Sequence, residues 1–167
     1  MFIRWLEYTK NTRTIRKSPI RNSPALLVVF VRRRRIIARI LIIEDDPHVA
    51  YVLQLALEEE GHEVITSYDG QNGLRQLEQP PLPDLVLVDL CIPVLSGRTV
   101  VETIYNNRLL HKIPVIITSG STPDTLPFPP ACAYRALFTK PYDIFALRDT
   151  INQLLHANAG AELVDAR

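Results

Sequence analysis

The sequence predicts an α/β fold, a doubly wound parallel sheet of five strands, and three observations support this prediction. Short apolar runs alternate five times with amphipathic helical segments between residues 39 and 157. The apolar runs are uninterrupted, as in strands that are buried on both faces of a parallel sheet. Finally, a chain of 167 residues has room for one such domain with an additional arm or tail.

Five short βα units of this size suit the flavodoxin-like arrangement, whose strand order is 2-1-3-4-5. The first strand is predicted at Arg39–Ile43, which reads RILII. A helix over Pro47–Glu60 follows, because apolar residues recur there on one face. Asp46 is a suitable N-cap, proline suits the first helical position, and Gly61 is a stop signal.

The middle of the domain continues the alternation. Leu74 and Leu77 give a short helix its apolar face, and the run LVLV indicates a buried strand. The elements predicted here are a strand at Glu63–Ser67, a helix at Gly70–Glu78, a strand at Leu85–Val88 and a helix at Gly97–Asn107.

The last third contains two strands and the final helix. Ile144, Leu147, Ile151 and Leu155 form one apolar stripe at helical spacing. The predicted elements are strands at Val115–Thr118 and Tyr134–Phe138 and a helix at Ile144–His156.

The connection between the fourth and fifth strands departs from this regular pattern. Four prolines fall within the eight residues 123–130, and each would cost about 3 kcal/mol inside a regular helix. We therefore predict that helix four is shortened or replaced by an extended segment. Such a segment would leave prolines exposed and Phe128 available to a partner.

Polar side chains follow four of the strands. Glu44, Asp45 and Asp46 come after the first strand, Asp89 after the third, Thr118 with Ser119 at the end of the fourth, and Lys140 after the fifth. The carboxyl ends of parallel strands meet at one edge of a sheet, where doubly wound folds bind ligands. Clustered carboxylates suit Mg²⁺, a carboxylate can attack phosphorus, and a lysine can bind phosphate.

These residues stand in four blocks whose order and spacing resemble the receiver domain of response regulators in two-component signalling. The resemblance covers residues 39 to 157. It is carried by residues 40–46 (ILIIEDD), 89–97 (DLCIPVLSG), 114–120 (PVIITSG) and 138–142 (FTKPY).

The resemblance implies a phosphoacceptor and a Mg²⁺ site. Asp89 matches the aspartate that takes the phosphoryl group. Asp45 matches a direct Mg²⁺ ligand, Glu44 matches one that acts through water, and Cys91 matches the position that offers its backbone carbonyl to the metal.

The resemblance also implies the residues that sense the phosphate. Ser119 matches the switch hydroxyl and Lys140 the phosphate-sensing lysine, and the bond from Lys140 to Pro141 is expected to be cis. The aromatic switch position holds Leu137, which departs from the family. Phe138 follows it and should point to the opposite face of the strand.

The function expected from these residues is a phosphorylation-dependent switch that a histidine kinase or phosphotransfer protein loads and that signals by protein contact. We expect a stand-alone receiver that is monomeric or weakly dimeric. We do not expect an enzyme, since the chain would catalyse only its own phosphoryl transfer and a slow autodephosphorylation. One alternative is a degenerate receiver that acts without phosphate. Another is a haloacid-dehalogenase-like phosphatase, although that class needs an acid where this chain has Cys91.

Charge divides the chain into a basic arm, residues 1–38, and an acidic domain, residues 39–157, with a short tail at 158–167. Residues 1–39 hold eleven Lys/Arg residues and one acidic residue, whereas residues 40–167 hold eight Lys/Arg residues and seventeen acidic residues. We expect the arm to be disordered. A second interpretation is that the arm contacts nucleic acid or a membrane surface. A third is that the natural protein starts near residue 31. The apolar run in this arm is too short to span a membrane and lacks a signal-peptide pattern, which predicts a cytoplasmic protein.

Overall fold

The computed structural model describes residues 36–120 and 127–165, which belong to one compact unit, Arg34–Arg167. The predicted basic arm lies outside the described residues except at positions 36–38, as do the nucleic-acid and membrane contacts that it could make. Within the described residues, no helix has the length and apolar character that a membrane span requires.

Five parallel strands form one sheet in the order β2-β1-β3-β4-β5, so the predicted flavodoxin-like topology is confirmed. α-Helices connect β1 to β2, β2 to β3 and β3 to β4, and a further helix follows β5. The strands are β1 (Arg39–Ile43), β2 (Glu63–Ser67), β3 (Leu85–Asp89), β4 (Val115–Ser119) and β5 (Ala136–Thr139), and the helices are α1 (Pro47–Glu58), α2 (Gly70–Leu77), α3 (Gly97–Asn106) and α4 (Ile144–Asp165).

The sheet is covered by a hydrophobic layer on each face because alternate strand residues point in opposite directions. In β1, Leu41 and Ile43 pack in the layer that holds the buried residues of α3. Their neighbours Ile40 and Ile42 pack in the opposite layer, with buried residues of α1 and α4. These four side chains are at most 1% exposed, which explains why the strand reads as one continuous apolar run.

The structure corrects several predicted boundaries. Helix α1 ends at Glu58 rather than Glu60, and Gly61 follows with a φ of 89° that favours glycine. Helix α4 continues to Asp165, nine residues beyond the predicted end at His156. The residues after His156 contain no proline to stop it, and the loss of an apolar stripe does not by itself end a helix.

Strand β5 begins at Ala136 rather than Tyr134, because its pairing with β4 starts at Ile116 and Ala136. The preceding residues Ala131–Ala133 form a 3-10 turn instead. In the described part of this connection, residues 127–135, there is no α-helix, as predicted. The prediction for residues 121–126 lies outside the described residues.

Phe128 differs from its expected role. Its side chain is half-buried and packs against the core layer on the α3 side, so it is less available to a partner than predicted. Pro127 and Pro130 are exposed as expected, while Pro129 is buried.

Candidate functional site

The strand register brings the predicted site residues to one edge of the sheet. Residues at the ends of four neighbouring strands are paired: Ile43 with Val88, Asp89 with Thr118, and Ser119 with Thr139. Asp89 ends β3, and Glu44 and Lys140 directly follow β1 and β5, so all three lie at the same edge of the sheet. Up to 96 residues separate them in sequence.

Three carboxylates meet at this edge. One oxygen each from Glu44, Asp45 and Asp89 lies within 4.8 Å of the others. Glu44 and Asp89 are 2% and 4% exposed, whereas Asp45 faces solvent. Asp46 has a different role, because its side chain accepts the N–H groups of His48 and Val49 and caps α1, as the sequence indicated.

Lys140 is bonded to two of these carboxylates. Its Nζ lies 2.9 and 2.7 Å from the two oxygens of Glu44 and 2.5 Å from Oδ2 of Asp89. Burial alone would lower the pKa of Lys140, but the hydrogen bonds and negative charges of Asp89 and Glu44 outweigh it and raise the pKa. The lysine therefore stays charged between the two acids.

The surroundings of Glu44 disfavour its charged form. Burial raises the pKa of Glu44 above its usual value, and the negative charge of Asp89 raises it further, while Lys140 counteracts both. An additional cation at this edge would relieve the remaining repulsion.

The backbone holds Asp89 and the lysine loop in place. The other carboxylate oxygen of Asp89, Oδ1, accepts the N–H of Cys91 at 2.8 Å, so both of its oxygens are engaged. The carbonyl of Ser119 accepts the N–H of Lys140 at 2.8 Å, and the Ser119 side chain is fully buried. The Lys140–Pro141 bond is cis, as the resemblance implies.

Position 137 departs most from the family, in which an aromatic residue is expected there. Leu137 is half-buried and packs in the same core layer as Phe128 and Tyr134. Phe138 packs in the opposite layer, which confirms the predicted alternation, and meets Tyr142 edge-on with ring centroids 6.1 Å apart. No aromatic ring therefore occupies position 137.

Two features of the surroundings could not be read from the sequence. An apolar groove of about 640 Å³ lies beside Lys140, lined in part by Val49, Val52 and Tyr142. Burial raises the pKa of Tyr142 to about 12, so its hydroxyl stays neutral. Val52 on α1 lines this groove and is 56% exposed, whereas an apolar residue at helical spacing ordinarily predicts a buried side chain.

The residues present fit Mg²⁺. The cluster offers carboxylate oxygens alone, which are the ligands that Mg²⁺ prefers. Two of the three carboxylates are buried, and a single lysine lies between them. A divalent cation would balance the negative charge that this one lysine leaves uncompensated.

Comparison with known proteins matches residues 40–152 to the model of the response regulator receiver domain. The chain belongs to the response-regulator receiver family. Protein PilH of Pseudomonas aeruginosa is 34% identical over 119 residues, which is 71% of this chain and 98% of PilH. Response regulator GtcR of Aneurinibacillus migulanus is 35% identical over 86 residues, but those are 52% of this chain and 34% of GtcR.

The solved structures agree with the receiver fold. The receiver domain protein from Methanospirillum hungatei superimposes with a TM-score of 0.68, covering 75% of this chain and 99% of that one at 24% identity. Receivers are signalling domains rather than enzymes in general, and aspartate phosphorylation, Mg²⁺ binding and contact with histidine kinases or phosphotransfer proteins are typical of them. The receiver resemblance inferred from the sequence is thus confirmed.

Proposed function

We propose that this receiver accepts a phosphoryl group on Asp89 from a histidine kinase or phosphotransfer protein, and that its surface then changes affinity for a partner protein. The observation that carries the proposal is the contact of Lys140 with both Asp89 and Glu44. This contact places an ammonium directly against an oxygen of the candidate acceptor, where it could bind an oxygen of a phosphoryl group on Asp89.

The proposed reaction is a transfer between a phosphohistidine and Asp89. A carboxylate oxygen of Asp89 attacks phosphorus, the O–P bond forms, and the P–N bond to the donor imidazole breaks. The imidazole leaves with its electron pair and takes a proton from water. The N–H of Cys91 holds Oδ1 of Asp89, which orients the carboxylate before the donor arrives.

Glu44, Asp45, Asp89 and the backbone carbonyl of Cys91 are the proposed Mg²⁺ ligands, with Glu44 acting through water. When bound, Mg²⁺ supplies positive charge that stabilises the transferred oxygens. Asp45 is exposed, so it can exchange ligands without opening the core, whereas the buried Glu44 fixes the position of the cluster.

Lys140 and Ser119 are the proposed sensors of the phosphoryl group. Lys140 bridges two carboxylates, and a phosphoryl oxygen on Asp89 would compete for the same ammonium. A shift of Lys140 would pull on the carbonyl of Ser119, which accepts its N–H, and so link the site to β4 and β5.

A degenerate receiver that acts without phosphate is the second candidate. Leu137 favours it, because a leucine packed in the core layer cannot act as the aromatic switch of the family. The two candidates differ in one measurable property, which is whether Asp89 takes phosphate at all.

The test incubates the full chain with acetyl phosphate and Mg²⁺ and follows intact mass. We expect the wild-type protein to gain one phosphoryl group and Asp89→Asn to gain none. Asp84→Asn is the matched control, because Asp84 accepts the N–H of Arg39 at the opposite end of the sheet and should not affect the transfer. Phosphate on Asp89→Asn, or none on the wild type, would refute the proposal.

A further inference from the structure

A tight contact between α2 and the loop after β3 lies next to the proposed phosphoacceptor. The loop runs from Cys91 to Ser96 and joins Asp89 to α3. Gly70, the buried first residue of α2, packs against it and donates its N–H to the carbonyl of Pro93 at 3.4 Å.

This loop contains a turn that proteins rarely use. Val94 has a φ of 66°, although it is β-branched and 76% exposed. The N–H of Leu95 donates to the carbonyl of Pro93 at 2.8 Å, which closes a three-residue turn around Val94. Such turns are strained, so neighbouring contacts are needed to hold them.

Gly70 leaves no room for a side chain. A Cβ atom at this position would stand 2.1 Å from the carbonyl oxygen of Leu95, a backbone atom that cannot rotate away. Either the loop or the start of α2 would have to move. Glycine at position 70 is therefore required by the contact rather than by the helix, where it is unfavourable.

Both ends of the loop are held in place. The N–H of Leu90 donates to Thr118 in β4, and the carbonyl of Leu90 accepts the N–H of Gly97. Ile92, inside the loop, is only 8% exposed. A displacement at Leu95 would therefore have to be absorbed between these fixed ends, in a segment that includes Cys91, whose N–H contacts Asp89 and whose carbonyl is a proposed Mg²⁺ ligand.

We propose that Gly70 is a positioning residue for the phosphorylation site. Because it has no side chain, α2 packs closely against the turn at Val94, and this contact fixes the backbone of Cys91. The inference rests on the proposed function, since it concerns the Mg²⁺ site of the same receiver. Partners that orient metal ligands commonly change metal affinity by about 10- to 100-fold when they are altered.

The test compares Gly70→Ala with Gly73→Ala in the full chain. Gly73 lies on the same helix, but a Cβ there meets the Ile43 side chain, with Cδ1 at 2.4 Å, rather than the backbone of the loop after β3. Calorimetric titration with Mg²⁺ measures affinity, and urea unfolding measures stability. We expect Gly73→Ala to lose stability with Mg²⁺ affinity within about twofold of the wild type, and Gly70→Ala to bind Mg²⁺ about tenfold more weakly.

A second measurement uses the wild-type protein alone, so it tests the role of Gly70 even if Gly70→Ala does not fold. Coupling is reciprocal, so Mg²⁺ should slow amide exchange of Gly70 in the wild-type protein more than that of Gly73, whose N–H donates to Asp69. Equal effects on the two amides, or an unchanged Mg²⁺ affinity in Gly70→Ala, overturn the inference. A wild-type chain that neither binds Mg²⁺ nor takes phosphate instead overturns the proposed function.

Discussion

At the scale of single residues, Lys140 determines the charge balance of the site. Glu44 and Asp89 are almost fully buried, and the lysine, whose side chain is 26% exposed, is bonded to both. Removing one partner of a buried ion pair leaves the others uncompensated, which costs several kcal/mol in a dry interior and less where water reaches.

We therefore expect Lys140→Ala to lower the free energy of unfolding by about 2 kcal/mol without Mg²⁺. Saturating Mg²⁺ should recover part of this loss, because the cation replaces the missing positive charge. Urea unfolding with and without Mg²⁺ measures both effects, and the exposed Lys112, changed to alanine, is the control. A loss that Mg²⁺ leaves unchanged would show that the lysine does not share the acids with the metal.

At the scale of elements, a carboxylate joins the turn after α1 to the final helix. Glu60 accepts hydrogen bonds from Arg148 at 2.6 Å and from Asn152 at 2.9 Å. Burial alone would raise the pKa of Glu60, but the hydrogen bonds from Asn152 and Arg148 and the charge of Arg148 outweigh it and lower the pKa. These residues are about 90 positions apart, so sequence patterns do not reveal the contact.

Because the folded state lowers the pKa of Glu60, its charge stabilises the protein above the pKa of a free glutamate, about 4.3. We expect Glu60→Gln to lose about 1 kcal/mol at pH 7. The difference from the wild type should close as the pH falls through the lowered pKa, since protonation removes the same charge. Thermal unfolding across pH measures this, with the exposed Glu78 changed to glutamine as control; a pH-independent difference would contradict the assignment.

The elements also show where sequence reasoning succeeds. The strands and the acidic edge were predictable because continuous apolar runs and strand-end residues report burial and position directly. The start of β5 and the length of α4 were not. The first depends on pairing with β4, and the helix continues through Gly160 to Asp165 although its apolar stripe ends earlier. The contact of Gly70 with Leu95 was also hidden, since it depends on how a helix meets a distant loop.

At the scale of the whole molecule, the acidic site around Asp89 follows the receiver family more closely than the segment between β4 and the end of β5 does. Glu44, Asp45, Asp89 and Lys140 stand together as the resemblance implied. The connection between β4 and β5 has a 3-10 turn in its described part, and Leu137 packs into the core. Under the proposed function, a change in the outer surface would have to arise without an aromatic ring at position 137.

The most direct test of the central claim is to locate the phosphoryl group chemically. An aspartyl phosphate is an acyl phosphate, and borohydride reduces it to homoserine. After treatment with acetyl phosphate and Mg²⁺, reduction and peptide mass mapping should reveal homoserine at position 89 and an unmodified residue at Asp45. Homoserine at another position, or none in a protein that carries phosphate, would contradict the account.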